Sequence, residues 1–377
     1  MRERTVSPPD RLAIRPKSAL PDQSVDPVDP LVGRTQSDSR APLQPPLFLV
    51  PVLPVETLLP DKVLPLFQML HHFDTVTCAT MGSTFAQHVF KSSAFSIAIQ
   101  TPYLLHALLG VSAAHLYHLL PAAQHPVQHR QSKLADAYHW STALSLLRQE
   151  FSRRLHQQNM DGVLSAVMLL AVHQFMLPDP DPSKSFIYAP EASREGAMTW
   201  LTIHMGFNLL DAELKPYIPD SIWYPVMQDA ILWSRSALSP LDEPNDETER
   251  LFMELCDITP QSSPKNNPYY SPLEYLFCVR RVHPSMHTFH KLVTFMGALE
   301  PPYRSLLSAR DKPALLILAH WLAIMTGVQQ WWITGRSRAE CIAIITFLML
   351  DKDDRVRALL EWPAEIAGVN LHHQGPL

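Results

Sequence analysis

From Asp61 onward the apolar residues recur at helical spacing. Leu105, Leu109, Ser112, Leu116 and Leu119 follow steps of four and three, which places them on one helix face. Thr101-Pro102 stands at the head of this run, a capping residue followed by a proline whose fixed φ suits the first helical turn. Ala107, Gly110 and Ala114 form a second face of small residues. A helix that is apolar on one side and small on another is expected at the centre of a fold, with a neighbouring backbone packed close.

The pattern continues along the chain. Pro126 opens a longer helix to about His156, with Trp140, Leu144, Leu147, Phe151 and Leu155 as its buried stripe. A further helix is expected from about Asp161 to Leu177, stopped by the prolines from Pro178 to Pro182. Glu191 to Leu210 again has helical periodicity, with Trp200 and Ile203 on its apolar side. Residues 211–272 are dense in proline, which predicts short helices joined by loops, and the acidic run Asp242 to Glu249 reads as a solvated loop. Helical segments return at 273–282 and 285–298. The most apolar stretches follow, Pro313 to Trp332 and Ala339 to Leu350. No internal repeat is visible. Residues 1–58 differ: proline mixed with Ser, Asp and Arg cannot bury enough apolar area to offset its ordering entropy. The predicted organisation is a disordered Pro-rich tail (1–58), an all-α, multi-helix domain (59–366) and a short C-terminal tail (367–377).

Composition supports helices over sheet. Glycine is scarce (11) and proline abundant (35), whereas hairpin-rich proteins need glycine at positive φ. Charged residues make up 18% of the chain and hydrophobic ones 46%, against roughly 25% charged in an average soluble domain. The net charge of −5 gives no basic excess with which to neutralise phosphates, so direct DNA binding by this chain alone is not expected. The four cysteines, Cys78, Cys256, Cys278 and Cys341, are far apart with no CxxC pair; they read as buried thiols rather than a disulfide or zinc framework. Met1 to Lys17 lacks the apolar core of a signal peptide. Ala314 to Val328 contains His320 and is shorter than the roughly 20 residues that span a bilayer. A soluble intracellular protein without a membrane span is expected.

Several motifs invite a chemical reading and fail it. Gly110-Val-Ser-Ala-Ala114 resembles a nucleophile elbow, but the elbow needs a strand before its serine. Ser112 lies inside one helix, where its hydroxyl is expected to bond a carbonyl one turn back. Asp351-Lys-Asp-Asp354 matches a short acidic motif of helical terpene cyclases; the plainer reading is a carboxylate cap on a helix from Arg355 to Leu360. His115, His118, His125 and His129 are the densest histidine group, without the converging third and fourth ligands of a zinc site. They read as partly buried or loop-facing, and His173, His204 and His320 as core or pocket-lining. No phosphate-binding glycine loop is present. No catalytic, cofactor or metal residues are therefore assigned. His320, Trp321, Trp331 and Trp332 are candidates for lining an apolar effector pocket.

These segments carry a resemblance. Leu70-His-His-Phe-Asp74, followed by Pro102-Tyr-Leu-Leu-His-Ala-Leu-Leu-Gly-Val-Ser-Ala-Ala-His-Leu116, resembles the opening of the fungal-specific regulatory (middle-homology) domain of zinc-cluster transcription factors, notably those similar to sterol uptake control proteins. Ala197 to Phe207 resembles the family's Trp-containing helix. Pro313-Ala-Leu-Leu-Ile-Leu-Ala-His-Trp321, Trp331-Trp332 and Leu360-Glu-Trp-Pro363 resemble its closing signatures. The resemblance runs from about residue 65 to 365, in order.

The resemblance implies an all-helical regulator acting in the nucleus, with the transcription machinery or another zinc-cluster factor as partner and an apolar metabolite as candidate effector. Control of a secondary-metabolite gene cluster is one expectation. Family members usually carry six cysteines that hold two zinc ions and place a helix in the major groove. Here the first cysteine, Cys78, already lies in the helical region, so zinc binding and autonomous DNA recognition are not carried over. An upstream exon missing from the gene model, a regulator that evolved without the cluster, and a chain that reaches DNA through another factor are all compatible with this pattern. The alternatives are a non-DNA-binding partner or inhibitory paralogue of a zinc-cluster factor and, more remotely, a helical terpene-type enzyme.

Overall fold

The computed structural model describes residues 64–201 and 214–371. The predicted tail, Ile203 and His204 lie outside them. Among the described residues every regular element is helical and no strand occurs, as the scarcity of glycine and the helical spacing imply.

The first half is organised around α4 (Pro102–Leu119), preceded by the short helices α1 (Leu66–His72), α2 (Thr84–Val89) and α3 (Phe95–Gln100). Pro102 occupies the first turn, as its position after Thr101 predicts. Most of this helix is buried, with Ala107, Leu108, Gly110, Val111 and Ala114 all inside, while Leu105 and Leu116 of the expected apolar face are half-buried and Leu119 is exposed at the end, so α4 is a central helix rather than an amphipathic surface one. α5 (Pro126–Phe151) lies against it. Gly110 permits this approach: a Cβ there would sit 3.4 Å from the backbone N of Trp140. The small face of α4 thus meets a neighbouring backbone, as expected. α5 ends at Phe151, short of His156, because His156 instead caps α6 (Gln157–Phe175). Its Nδ1 accepts from the Gln158 N–H, and Asn159 Oδ1 accepts from the His156 N–H at 2.9 Å, a reciprocal capping box.

α7 (Glu191–Ala197) ends at a turn on Met198, and the helix that resumes at Thr199 is described only to Leu201. The single helix expected over 191–210 is therefore broken. The proline-rich middle yields α8 (Tyr224–Ala237), α9 (Glu247–Leu255) and α10 (Tyr270–Arg280). The acidic run is an exposed loop over 242–246, as expected, but its last three residues belong to α9 and Glu249 is buried. Asp246 caps α9 by accepting from the Glu249 N–H at 2.8 Å, and Glu249 is 2% exposed. Glu249 reaches back to the Asn245 N–H at 2.8 Å and accepts from Arg281 at 2.9 Å. The spacing Asp246-Glu-Thr-Glu249 is a capping-box pattern, and burial of its second acid requires the arginine that pairs with it.

The last third contains α11 (Phe289–Leu292), α12 (Pro301–Ser308), α13 (Lys312–Thr326), α14 (Thr334–Leu348) and α15 (Asp354–Ala367). Every residue of α13 from Ala314 to Met325 is buried. Its first turn is capped by Asp311, whose Oδ1 accepts from the Ala314 N–H at 3.0 Å. The helix stops at Thr326, inside the apolar stretch that runs to Trp332. Gly327 follows, pressed so close to Pro284 that a Cβ would come within 2.7 Å of its ring, and Gln329 takes a left-handed φ of 55, which a right-handed helix does not continue through. Asp353 caps α15, as the acidic motif predicts, by accepting from the Arg355 N–H at 2.9 Å. α15 closes on Gly368 at φ +72, the left-handed position that favours glycine after a helix. No helix among the described residues is long and apolar enough to cross a membrane.

Candidate effector site

The aromatic residues singled out in the sequence are brought into the folded core, but not onto one shared wall. Trp321 stacks on Phe295 with ring centroids 5.2 Å apart and donates its indole N–H to the Leu292 carbonyl at 3.0 Å. Trp332 meets Phe175 and Phe289 edge-on and donates to the Thr80 carbonyl at 3.0 Å. Trp331 is half-buried, stacks on His115 at 4.7 Å and donates to the Thr80 hydroxyl at 2.9 Å. His320 faces Phe252 and Trp362, and its Nε2 bonds the Leu359 carbonyl at 2.7 Å. Against a carbonyl, that nitrogen is the donor. Burial holds the His320 imidazole neutral, its pKa lowered to about 3.

The histidine group separates in the same way. His115 is buried, 3.0 Å from the Thr77 hydroxyl, and burial lowers its pKa to about 3. His118 is exposed beside Trp331, and His129 lies 2.8 Å from the Leu120 carbonyl. His125 stands at the head of α5. His173 pairs with Asp136 at 2.8 Å and stacks on Trp140 at 3.8 Å. Among the described residues no three His, Cys, Asp or Glu side chains are placed to hold a metal ion. All four cysteines are buried free thiols. Ser112 donates to the Met69 carbonyl at 2.7 Å, tying α4 to α1 instead of bonding its own helix.

A different region has the form of a ligand site. A cleft of about 350 Å³ opens where the start of α4, the end of α5 and the start of α6 meet. That volume falls in the range of small-molecule sites, roughly 300–1,000 Å³. From the α3–α4 junction it is lined by Gln100, Thr101 and Tyr103; α5 and the turn after it add Gln149, Glu150 and Arg153; α6 adds Gln158, Asn159 and Gly162. Thr101 does not cap α4 with its side chain, so its hydroxyl stays available. Tyr103 is 7% exposed. Its hydroxyl lies over Gly162, where a Cβ would approach it to 2.7 Å. Burial pushes the phenol above its ordinary pKa range, so it remains a neutral donor and acceptor. The charges on this wall oppose each other: Glu150 accepts from Arg153 at 3.1 Å and from Asn159 at 2.9 Å.

Sequence reasoning passes over Tyr103, Gln149 and Gln158 because each lies in a different helix. Only the fold shows that the capping turn at His156 brings the start of α6 beside the start of α4.

The comparisons with known proteins fall on this part of the chain. Residues 68–187 match the fungal specific transcription factor domain family, a stretch that runs from α1 past α6 and contains the whole cleft. A zinc(2)-C6 fungal-type transcription factor of Gibberella zeae is 22% identical over 314 residues, covering 80% of this chain and 61% of that protein. The chain thus spans about 61% of the length of this curated relative. No solved structure matches the chain. Both the matching family and the relative are described as transcription factors, and residues 68–187 of the chain are similar to the fungal specific transcription factor domain.

Proposed function

We propose that this chain acts in the nucleus as the regulatory body of a fungal transcription regulator of the zinc-cluster type, with a bound effector biasing its helical packing. The observation that carries the reading is the family match over residues 68–187. The relative's description as a zinc(2)-C6 transcription factor supports it. The net charge of −5 favours action through another factor or the transcription machinery over direct phosphate contact. An effector shifts such a body only by binding one packing arrangement better than another. A cleft built from the ends of three helices is suited to that, because small rotations of α4, α5 or α6 change its width.

Control of a secondary-metabolite gene cluster is the finer form of this proposal. Transcript profiling of a deletion strain tests both levels. Coordinated change in a set of contiguous biosynthetic genes is expected, and an unchanged transcriptome would overturn the regulatory reading. Co-purification of a zinc-cluster factor with the chain, together with no DNA shift by the chain alone, favours the partner form of the proposal.

A further inference from the structure

We propose that the cleft between α4, α5 and α6 binds a small, uncharged, polyhydroxylated molecule such as a sugar or sugar alcohol. Three features of the site lead there. The first is the Tyr103 hydroxyl. Tyr103 is 7% exposed and lines the cleft, yet among the described residues its hydroxyl has no hydrogen-bond partner. The hydroxyl oxygen is not sealed from solvent; it opens into the cleft, where a ligand hydroxyl can take the place of water as its partner.

The second feature is charge. Glu150 and Arg153 pair at 3.1 Å, and Glu150 is further held by Asn159. The formal charges of the wall cancel, so an anion or cation gains no net field and would have to break an existing pair. The third is the chemistry of what remains. Thr101, Gln149 and Gln158 line the same space, and their side chains make no hydrogen bond to other described residues. Hydroxyl and amide groups both donate and accept, as do the hydroxyls of a polyol. Aliphatic lining is limited to Ile97, Pro102 and Leu146, too little to desolvate a sterol-like hydrocarbon.

This assignment supplies the effector that the proposed function invokes; it rests on that reading for its consequence, while binding itself is measured separately. The test is saturation-transfer NMR on the full chain with glucose, trehalose, citrate and a solubilised sterol as separate probes. Transfer from glucose or trehalose is expected. Tyr103→Phe and Gln149→Leu are each expected to weaken it about three- to tenfold, the worth of one hydrogen bond. Gln149 is exposed, so its variant carries the test even if Tyr103→Phe disturbs folding. Transfer from citrate or sterol alone, from no probe, or with equal strength in both variants, overturns the assignment. Loss of binding with the transcript response of the deletion intact would sink the ligand class while sparing the regulatory reading.

Discussion

The aromatic seam around α13 and the cleft at the start of α4 both use aromatic side chains with polar tips, and treat those tips oppositely. In the seam each indole N–H of Trp321, Trp331 and Trp332 donates to the protein itself, at 3.0, 2.9 and 3.0 Å. In the cleft the Tyr103 hydroxyl is left over. Where polar groups are satisfied internally, the side chains hold elements together: Trp331 and Trp332 fasten the segment after α13 to Thr80, 251 and 252 positions away. Where they are not, the unmade bond is open to a molecule from outside. In these three tryptophans the internal hydrogen bond fixes structure, whereas the Tyr103 hydroxyl is the one we assign to recognition.

Substitutions can break or sharpen this contrast. The largest effect is expected from Trp321→Ala, which empties a fully buried site and should cost about 3–5 kcal/mol in urea unfolding; a loss below about 1 kcal/mol would mean the seam is not the structural region. Next is Gly110→Val, which forces added methyl groups toward the Trp140 backbone 3.4 Å away, at an expected cost of about 1–3 kcal/mol by the same measurement. Asp311→Ala removes the cap of α13 and the acceptor that Tyr269 uses at 3.0 Å, for about 1 kcal/mol. The smallest effect belongs to the cleft. Tyr103→Phe removes no internal hydrogen bond and should leave stability within about 0.5 kcal/mol, seen as an unchanged urea midpoint.

Acid acts on the buried core in two opposite senses. His115 and His320 are held neutral by burial, with pKa values of about 3 against an ordinary 6.5. The unfolded chain then binds more protons than the folded one between these values, so this contribution to stability falls as pH drops from about 6.5 toward 3. Glu340 acts in the opposite sense. Burial pushes its carboxyl up to about 7 from 4.5, so the folded state holds the extra proton and this contribution is lost as pH rises from about 4.5 through 7. Glu340→Gln keeps an acceptor for the Ser185 hydroxyl and should remove the loss on the neutral side. His320→Gln should flatten the acid side. Unfolding midpoints across the acid-to-neutral range read both.

Much of the fold is legible from residue order. Pro102 starts α4 although Thr101 adds no side-chain cap, Gly110 lets a backbone approach, and Asp353 caps α15, because each is a local device acting within a turn or on an adjacent helix. Glu249 misleads, since its partner Arg281 lies 32 positions away and a run of acids with no visible counter-charge looks solvated. The end of α13 is not visible in the sequence either: Pro284 is a distant contact of Gly327, and Gln329 takes its left-handed φ without a glycine to announce it. The cleft is illegible for a related reason, as Tyr103, Gln149 and Gln158 become neighbours only after three helices are packed. The aromatic motifs, by contrast, stand out in the sequence and point toward the core.

The central claim is that this chain, similar over residues 68–187 to a fungal specific transcription factor domain, regulates transcription through the cleft rather than through the seam. Its most direct test is transcript profiling of a strain carrying Tyr103→Phe with Gln149→Leu at the native locus, with protein abundance followed in parallel. Altered transcripts of the genes that respond to deletion, at unchanged abundance, are predicted. Transcripts identical to wild type at equal abundance would contradict the account.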